Sequence, residues 1–260
     1  MKRILLALSL LTGTAQFPAR GYTTITDQHV DLDVILLGGS LSGTIHGDDA
    51  GEVDPADGLL FDGPLGTTGL ESPGGAYSFL GVAAGETIYV WPQGGEPDRM
   101  YLGFAAESMA PGTLHSYFES DLRVAGTAPW IKISLSAVRY HAAPGESGPA
   151  HFSLWQTDSS GAPTAWMSTS DGGITAADAA WILEGGHVHY NWGFSKRGYY
   201  EVDLVFSAYE GGTETFLQSD AQTFHFGVEY LPASIPEPNV AALLAGSGML
   251  FLLRRRPRSL

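Results

Sequence analysis

The sequence predicts an all-β protein, an antiparallel sandwich or jelly roll, and three observations carry the prediction. Gly 34 and Pro 15 in 260 residues are dense turn punctuation. The runs between those turns are short and rich in Val, Thr and aromatic residues, which suit a pleated, half-buried surface. No 3.6-residue period is sustained between residues 22 and 232, whereas period-2 alternation is frequent. Charged residues make up only 16%, too few for a solvated disordered chain, and the length is enough to bury a core. With Cys 0, disulfides, thiolate zinc sites and cysteine nucleophiles are excluded.

The elements follow in order. His29–Leu37 and Leu41–His46, joined by Gly38-Gly39-Ser40, read as a hairpin. Gly47 to Gly75 reads as a long Gly/Pro-rich loop, the best place for any domain boundary. Ala76–Val82 and Glu86–Trp91 flank Ala83-Ala84-Gly85 as a second hairpin. Strands are then expected at Tyr101–Ala105, Tyr117–Val124, Trp130–Tyr140 and His151–Gln156, and later at His187–Phe194, Tyr199–Tyr209 and Gln222–Tyr230. Thr175–Leu183 is the one expected helix, with Thr175 as its cap and Asp178 favourably near its N-terminus.

The two ends read as addresses. Met1-Lys2-Arg3, the apolar run Ile4–Leu11 and the small residues Thr12-Gly13-Thr14-Ala15 have the order of a cleavable signal peptide read by the Sec machinery. Cleavage after Ala15 or after Gly21 satisfies the small-residue rule, so residues 1–21 are assigned to the signal and 22–232 to the body. Residues 233–260 hold Pro236-Glu237-Pro238, an apolar run Val240–Leu253, and Arg254-Arg255-Arg256-Pro257-Arg258. As a helix that run would span roughly 21 Å, short for a hydrocarbon core of about 30 Å. The arginines would stay cytoplasmic, holding the body outside. This tail resembles the PEP-CTERM sorting signal of Gram-negative bacteria. That resemblance implies an exosortase as partner, anchorage first in the inner membrane, and a final place at the cell surface or in the extracellular matrix. Between the ends only six basic residues remain (Arg99, Arg123, Lys132, Arg139, Lys196 and Arg197), while every acidic residue but Glu237 is kept. Such a body repels nucleic acid and anionic lipid and attracts cations.

Histidines supply the candidate chemistry. In His187-Val188-His189-Tyr190-Asn191-Trp192, the period of a strand puts His187, His189 and Asn191 on one face, with Val188, Tyr190 and Trp192 turned to the core. Two imidazoles on one face, about 7 Å apart, can chelate one ion. In the first hairpin a Gly38-Gly39 turn sets Asp31 opposite His46 and His29 opposite Asp48, collecting all four on one face. Mixed imidazole and carboxylate ligands suit zinc, manganese, iron or nickel. The expected ligands are therefore His29, His46, His187 and His189, with Asp31 as a fifth or supporting group, for a divalent transition metal such as zinc or manganese. The prediction requires the opening hairpin and the strand near position 188 to meet in space.

Several stretches also resemble the choice-of-anchor M domain. They are His29-Val30-Asp31 with Ile45-His46, Phe79-Leu80-Gly81-Val82, Val90-Trp91-Pro92-Gln93 and Tyr101-Leu102-Gly103. Gly148–Trp155, Gly186–Phe194 and Gly198-Tyr199-Tyr200 with Val202 continue the likeness. The last two of these are similar to the actinobacterial surface-anchored repeat as well. His151 departs from the pattern, which favours a small residue before Phe152. The resemblance implies an exported surface protein and, through neighbouring transport systems, metal handling, with metal-transport components or surface polysaccharide as partners.

Other motifs carry less. Gly145-Glu146-Ser147-Gly148-Pro149 reads as a turn, because no base and acid accompany it as a triad needs. Asp48, Asp49, Glu52, Asp54 and Asp57 read as a solvated acidic loop without the spacing of an EF-hand. Trp166 and Trp181, near loops, are candidates for a sugar-stacking platform. His115, His141 and His225 receive no role. Two further readings stay open: a structural or adhesive matrix protein without a specific small ligand, and a metal-dependent hydrolase, for which no carboxylate is placed as general base.

Overall fold

Gly198–Tyr209 illustrates why this chain folds as strands. Its residues alternate between buried and half-buried, so Tyr200, Val202, Leu204, Phe206 and Ala208 all face the core. The computed structural model describes residues 21–62 and 68–231, and the signal peptide and sorting tail expected at the ends lie outside them. In chain order the strands are β1 (Thr23–Ile25), β2 (His29–Leu37), β3 (Ser40–Gly47), β4 (Gly51–Val53), β5 (Gly58–Phe61), β6 (Gly69–Glu71) and β7 (Thr87–Trp91). There follow β8 (Tyr101–Ala105), β9 (Tyr117–Glu119), β10 (Gly126–Ala128), β11 (Trp130–Ala142), β12 (Phe152–Thr157) and β13 (Pro163–Ser168). The set closes with β14 (Ala179–Leu183), β15 (His187–His189), β16 (Asn191–Phe194), β17 (Gly198–Tyr209), β18 (Phe216–Gln218) and β19 (Gln222–Val228).

The protein is all-β, with several sheets around one large core. A seven-stranded sheet runs β1-β5-β19-β17-β11-β14, with β18 also on β17. One five-stranded sheet runs β13-β12-β16-β7-β6, and a second runs β15-β8-β2-β3-β4. β9 and β10 form a separate pair. Most pairings are antiparallel, but β1–β5, β5–β19 and β2–β8 are parallel. The core joins the sheets through aromatic rings: Trp91, Trp192 and Phe194 each sit 5.5 Å from Phe226, centroid to centroid. Each fully buried side chain of this kind contributes roughly 1.5–3 kcal/mol.

The first hairpin forms in the expected register. β2 and β3 pair with Asp31 opposite His46 and Leu37 opposite Ser40. Gly38 and Gly39 take φ 59° and 84°, the left-handed pair that a two-residue hairpin turn demands. Val30, Leu32 and Val34 enter the core, which leaves His29, Asp31 and Asp33 on the other face.

Four expectations are corrected. Thr175–Leu183 is not a helix: Ala179–Leu183 is a buried strand on β11. Asp178 instead makes the preceding residues a turn, accepting from the Thr175 N–H and hydroxyl and from the Ser168 N–H. Pairing in a buried sheet outweighs the helix propensity of the alanines. The second hairpin is absent, because Gly75–Leu80 is a 3₁₀ helix and β7 pairs with β6 and β16. The presumed loop from Gly47 to Gly75 carries β4, β5 and β6. Tyr117–Val124 keeps its strand only as far as Glu119.

Candidate metal centre

The centre is built on the sheet β15-β8-β2-β3-β4. β2 supplies His29 and Asp31, and β15 supplies His187 and His189. The two strands are not neighbours; β8 lies between them. The ladder sets Gly103 between Asp31 and His189, and Ala105 between Asp33 and His187. Side chains from β2 and β15 must therefore meet above the middle strand. Gly103 permits it. A Cβ there would lie 2.2 Å from His189 Cδ2 and 2.5 Å from Asp31 Oδ1, so any side chain would occupy the meeting point.

His29, Asp31, His187 and His189 each offer one ligand atom, all within 4.8 Å of one another, and the group could hold a metal ion. His187 Nε2 lies 2.9 Å from Asp31 Oδ1 and 2.9 Å from His189 Nε2. His189 Nε2 is 3.5 Å from Asp31 Oδ1, and His29 Nε2 is 3.2 Å from Asp31 Oδ2. A tetrahedral ion with bonds of about 2.0–2.1 Å sets its donors about 3.4 Å apart. These separations straddle that value. His29 Nε2 is buried without a well-directed hydrogen bond, although Asp31 lies beside it. A nitrogen lone pair turned into such a space suits a cation better than any group present.

The outward nitrogens face carboxylates. His29 Nδ1 is 3.3 Å from Asp48 Oδ1, and His187 Nδ1 is 3.7 Å from Glu107 Oε1. A proton held on each Nδ1 by these exposed acids leaves Nε2 free to ligate. Tyr101 stacks on His29 at 5.0 Å and meets His189 edge-on at 4.8 Å, which fixes both rings. Asp31 is buried, which alone would raise its pKa. The hydrogen bond with His189 and the nearby imidazoles outweigh that and hold it below the usual carboxylate range. It is therefore a ready anionic ligand. Asp33 behaves oppositely: burial first, then the charges of Asp31 and Glu52, push it up to about 6.

The structure thus brings together four of the five expected ligands. His46 is the correction. It stands opposite Asp31 as expected, but it is exposed and outside the converging group. The Asp31 oxygens face other histidines, Oδ2 towards His29 on the same strand and Oδ1 towards His187 across β8. Asn191 also departs: the chain leaves β15 at buried Tyr190 and enters a different sheet as β16. There the Asn191 side chain accepts from the Gln93 N–H. Trp166 and Trp181 are buried, with the Arg123 guanidinium 5.0 and 5.2 Å from their centroids, so they form no exposed platform. Gly103, Tyr101, Glu107 and Asp33 were not foreseen as parts of the site. Asp33 had a signal, its i, i+2 spacing from Asp31; the others needed the parallel β2–β8 pairing.

Fold and site together define an all-β protein with a histidine-rich candidate metal centre. No protein-family model, curated protein or solved structure matches the chain.

Proposed function

We propose that this is an exported surface protein whose β body, read as a sandwich of stacked sheets, binds a divalent transition metal, zinc or manganese, through His29, Asp31, His187 and His189. One observation carries the binding half. Three imidazoles and one carboxylate, from strands 156 residues apart, converge on a point that a glycine keeps open. Nitrogen-rich ligation with one anionic oxygen is the chemistry of zinc and its neighbours. The export half rests on the sequence ends: a Sec signal, and a Pro236-Glu237-Pro238 tail with Arg254, Arg255 and Arg256 for an exosortase, which would place the body at the surface of a Gram-negative cell. Metal-transport components are the partners that binding at such a place suggests.

Elemental analysis tests the binding. Metal-stripped full chain, dialysed against zinc or manganese and then washed, should retain stoichiometric metal. His187→Ala with His189→Ala should abolish retention at this centre, while Asp48→Asn and Glu107→Gln should weaken it about 10-fold. Failure of the unaltered chain to retain either metal would leave the adhesive, ligand-free reading.

A further inference from the structure

We propose a second divalent-cation site on the same face of this sheet, beside the first, formed by Asp33, His46 and Glu52. It goes beyond the function proposed above and uses none of the four ligands of the first centre.

Register puts the three residues on one face. Asp33 follows Asp31 by two along β2, so their side chains share a face. His46 on β3 stands opposite Asp31, and Glu52 on β4 stands opposite His46. Asp33 and His46 are then diagonal neighbours, with Cβ atoms about 7–8 Å apart. The exposed His46 and Glu52 side chains stand apart from the Asp33 carboxyl, and enclosing an ion requires them to swing over it.

A second observation points to a ligand. Asp33 is only 9% exposed, and its Oδ1 is buried with no hydrogen-bond partner. Its ladder neighbours explain this. Thr44, directly opposite on β3, donates its hydroxyl to the Val53 carbonyl at 3.1 Å. Ala105, opposite on β8, has no polar side chain. His187 turns its nitrogens to Asp31, His189 and Glu107. Among the described residues Asp33 is the one carboxylate with a buried oxygen left in this state. Buried polar atoms are ordinarily satisfied, and a carboxylate is the costliest to leave bare. Among the charges that act on it, Glu52 and Glu107 oppose its ionisation and His46 favours it. An excess of carboxylate calls for a cation.

The chemistry of the set narrows the class. Two carboxylates neutralise a divalent ion, and one imidazole favours manganese or zinc over calcium or magnesium. His46 and Glu52 are exposed, so this site opens to solvent while the first lies deeper.

Stoichiometry tests the proposal. Metal-stripped full chain is titrated with Mn²⁺, bound metal being counted by equilibrium dialysis and elemental analysis, with circular dichroism confirming the fold of each variant. The unaltered chain should bind two equivalents. His46→Ala at the surface, and Asp33→Asn with its shape conserved, should each bind one. His187→Ala combined with His189→Ala should also bind one. A single equivalent lost only in that double variant overturns the second site and leaves the first standing. A single equivalent lost only with His46→Ala or Asp33→Asn upholds the second site and removes the first. No binding at all overturns both.

Discussion

A single absent carbon at position 103 decides whether two strands can share an ion. Asp31 and His189 are on β2 and β15, separated by β8, and only a glycine between them lets their side chains touch. Gly103 is not a turn residue; it sits within a strand, where glycine often marks a close approach of other groups. Gly103→Ala should therefore abolish metal retention at this centre, a loss of one equivalent, while the body stays folded, because the clash falls on side-chain ends and not on backbone. Elemental analysis beside circular dichroism checks both halves. A metal count undiminished in Gly103→Ala would mean that this ion sits elsewhere.

Among the elements, the turn before β14 is the least expected and the most easily probed. Asp178 is buried and accepts from Ser168 N, Thr175 N and the Thr175 hydroxyl. One carboxylate thus ties the end of β13 to the start of β14. Asp178→Ala leaves the buried Ser168 N–H short and should cost about 1–3 kcal/mol, the penalty for one buried unsatisfied group. Denaturant titration measures it; an unchanged midpoint would show the turn to be held by other contacts. The same turn shows how a sequence reading fails. Thr175, Asp178 and the alanines are a plausible helix start, yet Ser168, the residue that recruits Asp178, lies outside that window. The first hairpin was legible for the converse reason: its turn and its pairing are both local, so Gly38-Gly39 fixed the register down to Asp31 opposite His46.

For the whole molecule, bound metal and folding are linked. An ion that binds only the folded body stabilises it by about 2.7 kcal/mol at a hundred times its Kd. In a body of this size 1 kcal/mol moves Tm by about 2–4 °C, so loading should raise Tm by roughly 5–10 °C. The part of the shift due to this centre should be lost in the His187→Ala, His189→Ala variant. It should also shrink on acidification. The depressed pKa of Asp31 keeps that carboxylate ionised well into acid. Imidazoles ligate only when neutral, so acid opposes binding. A melting series over falling pH, with and without chelator, should show the two curves converging. A metal shift that grew as pH fell would contradict histidine ligation.

The sequence by itself determined the strand-rich class, the register of the first hairpin, and the residue types of the centre, since all of these rest on local period and turn chemistry. Only the tertiary structure decided which residues meet. The parallel pairing of β2 with β8, the departure of the chain at Tyr190, and the gap at Gly103 chose His29, Asp31, His187 and His189 and left His46 aside. Contacts between segments over 150 residues apart leave no local pattern, because what selects them is the closing of a shared core.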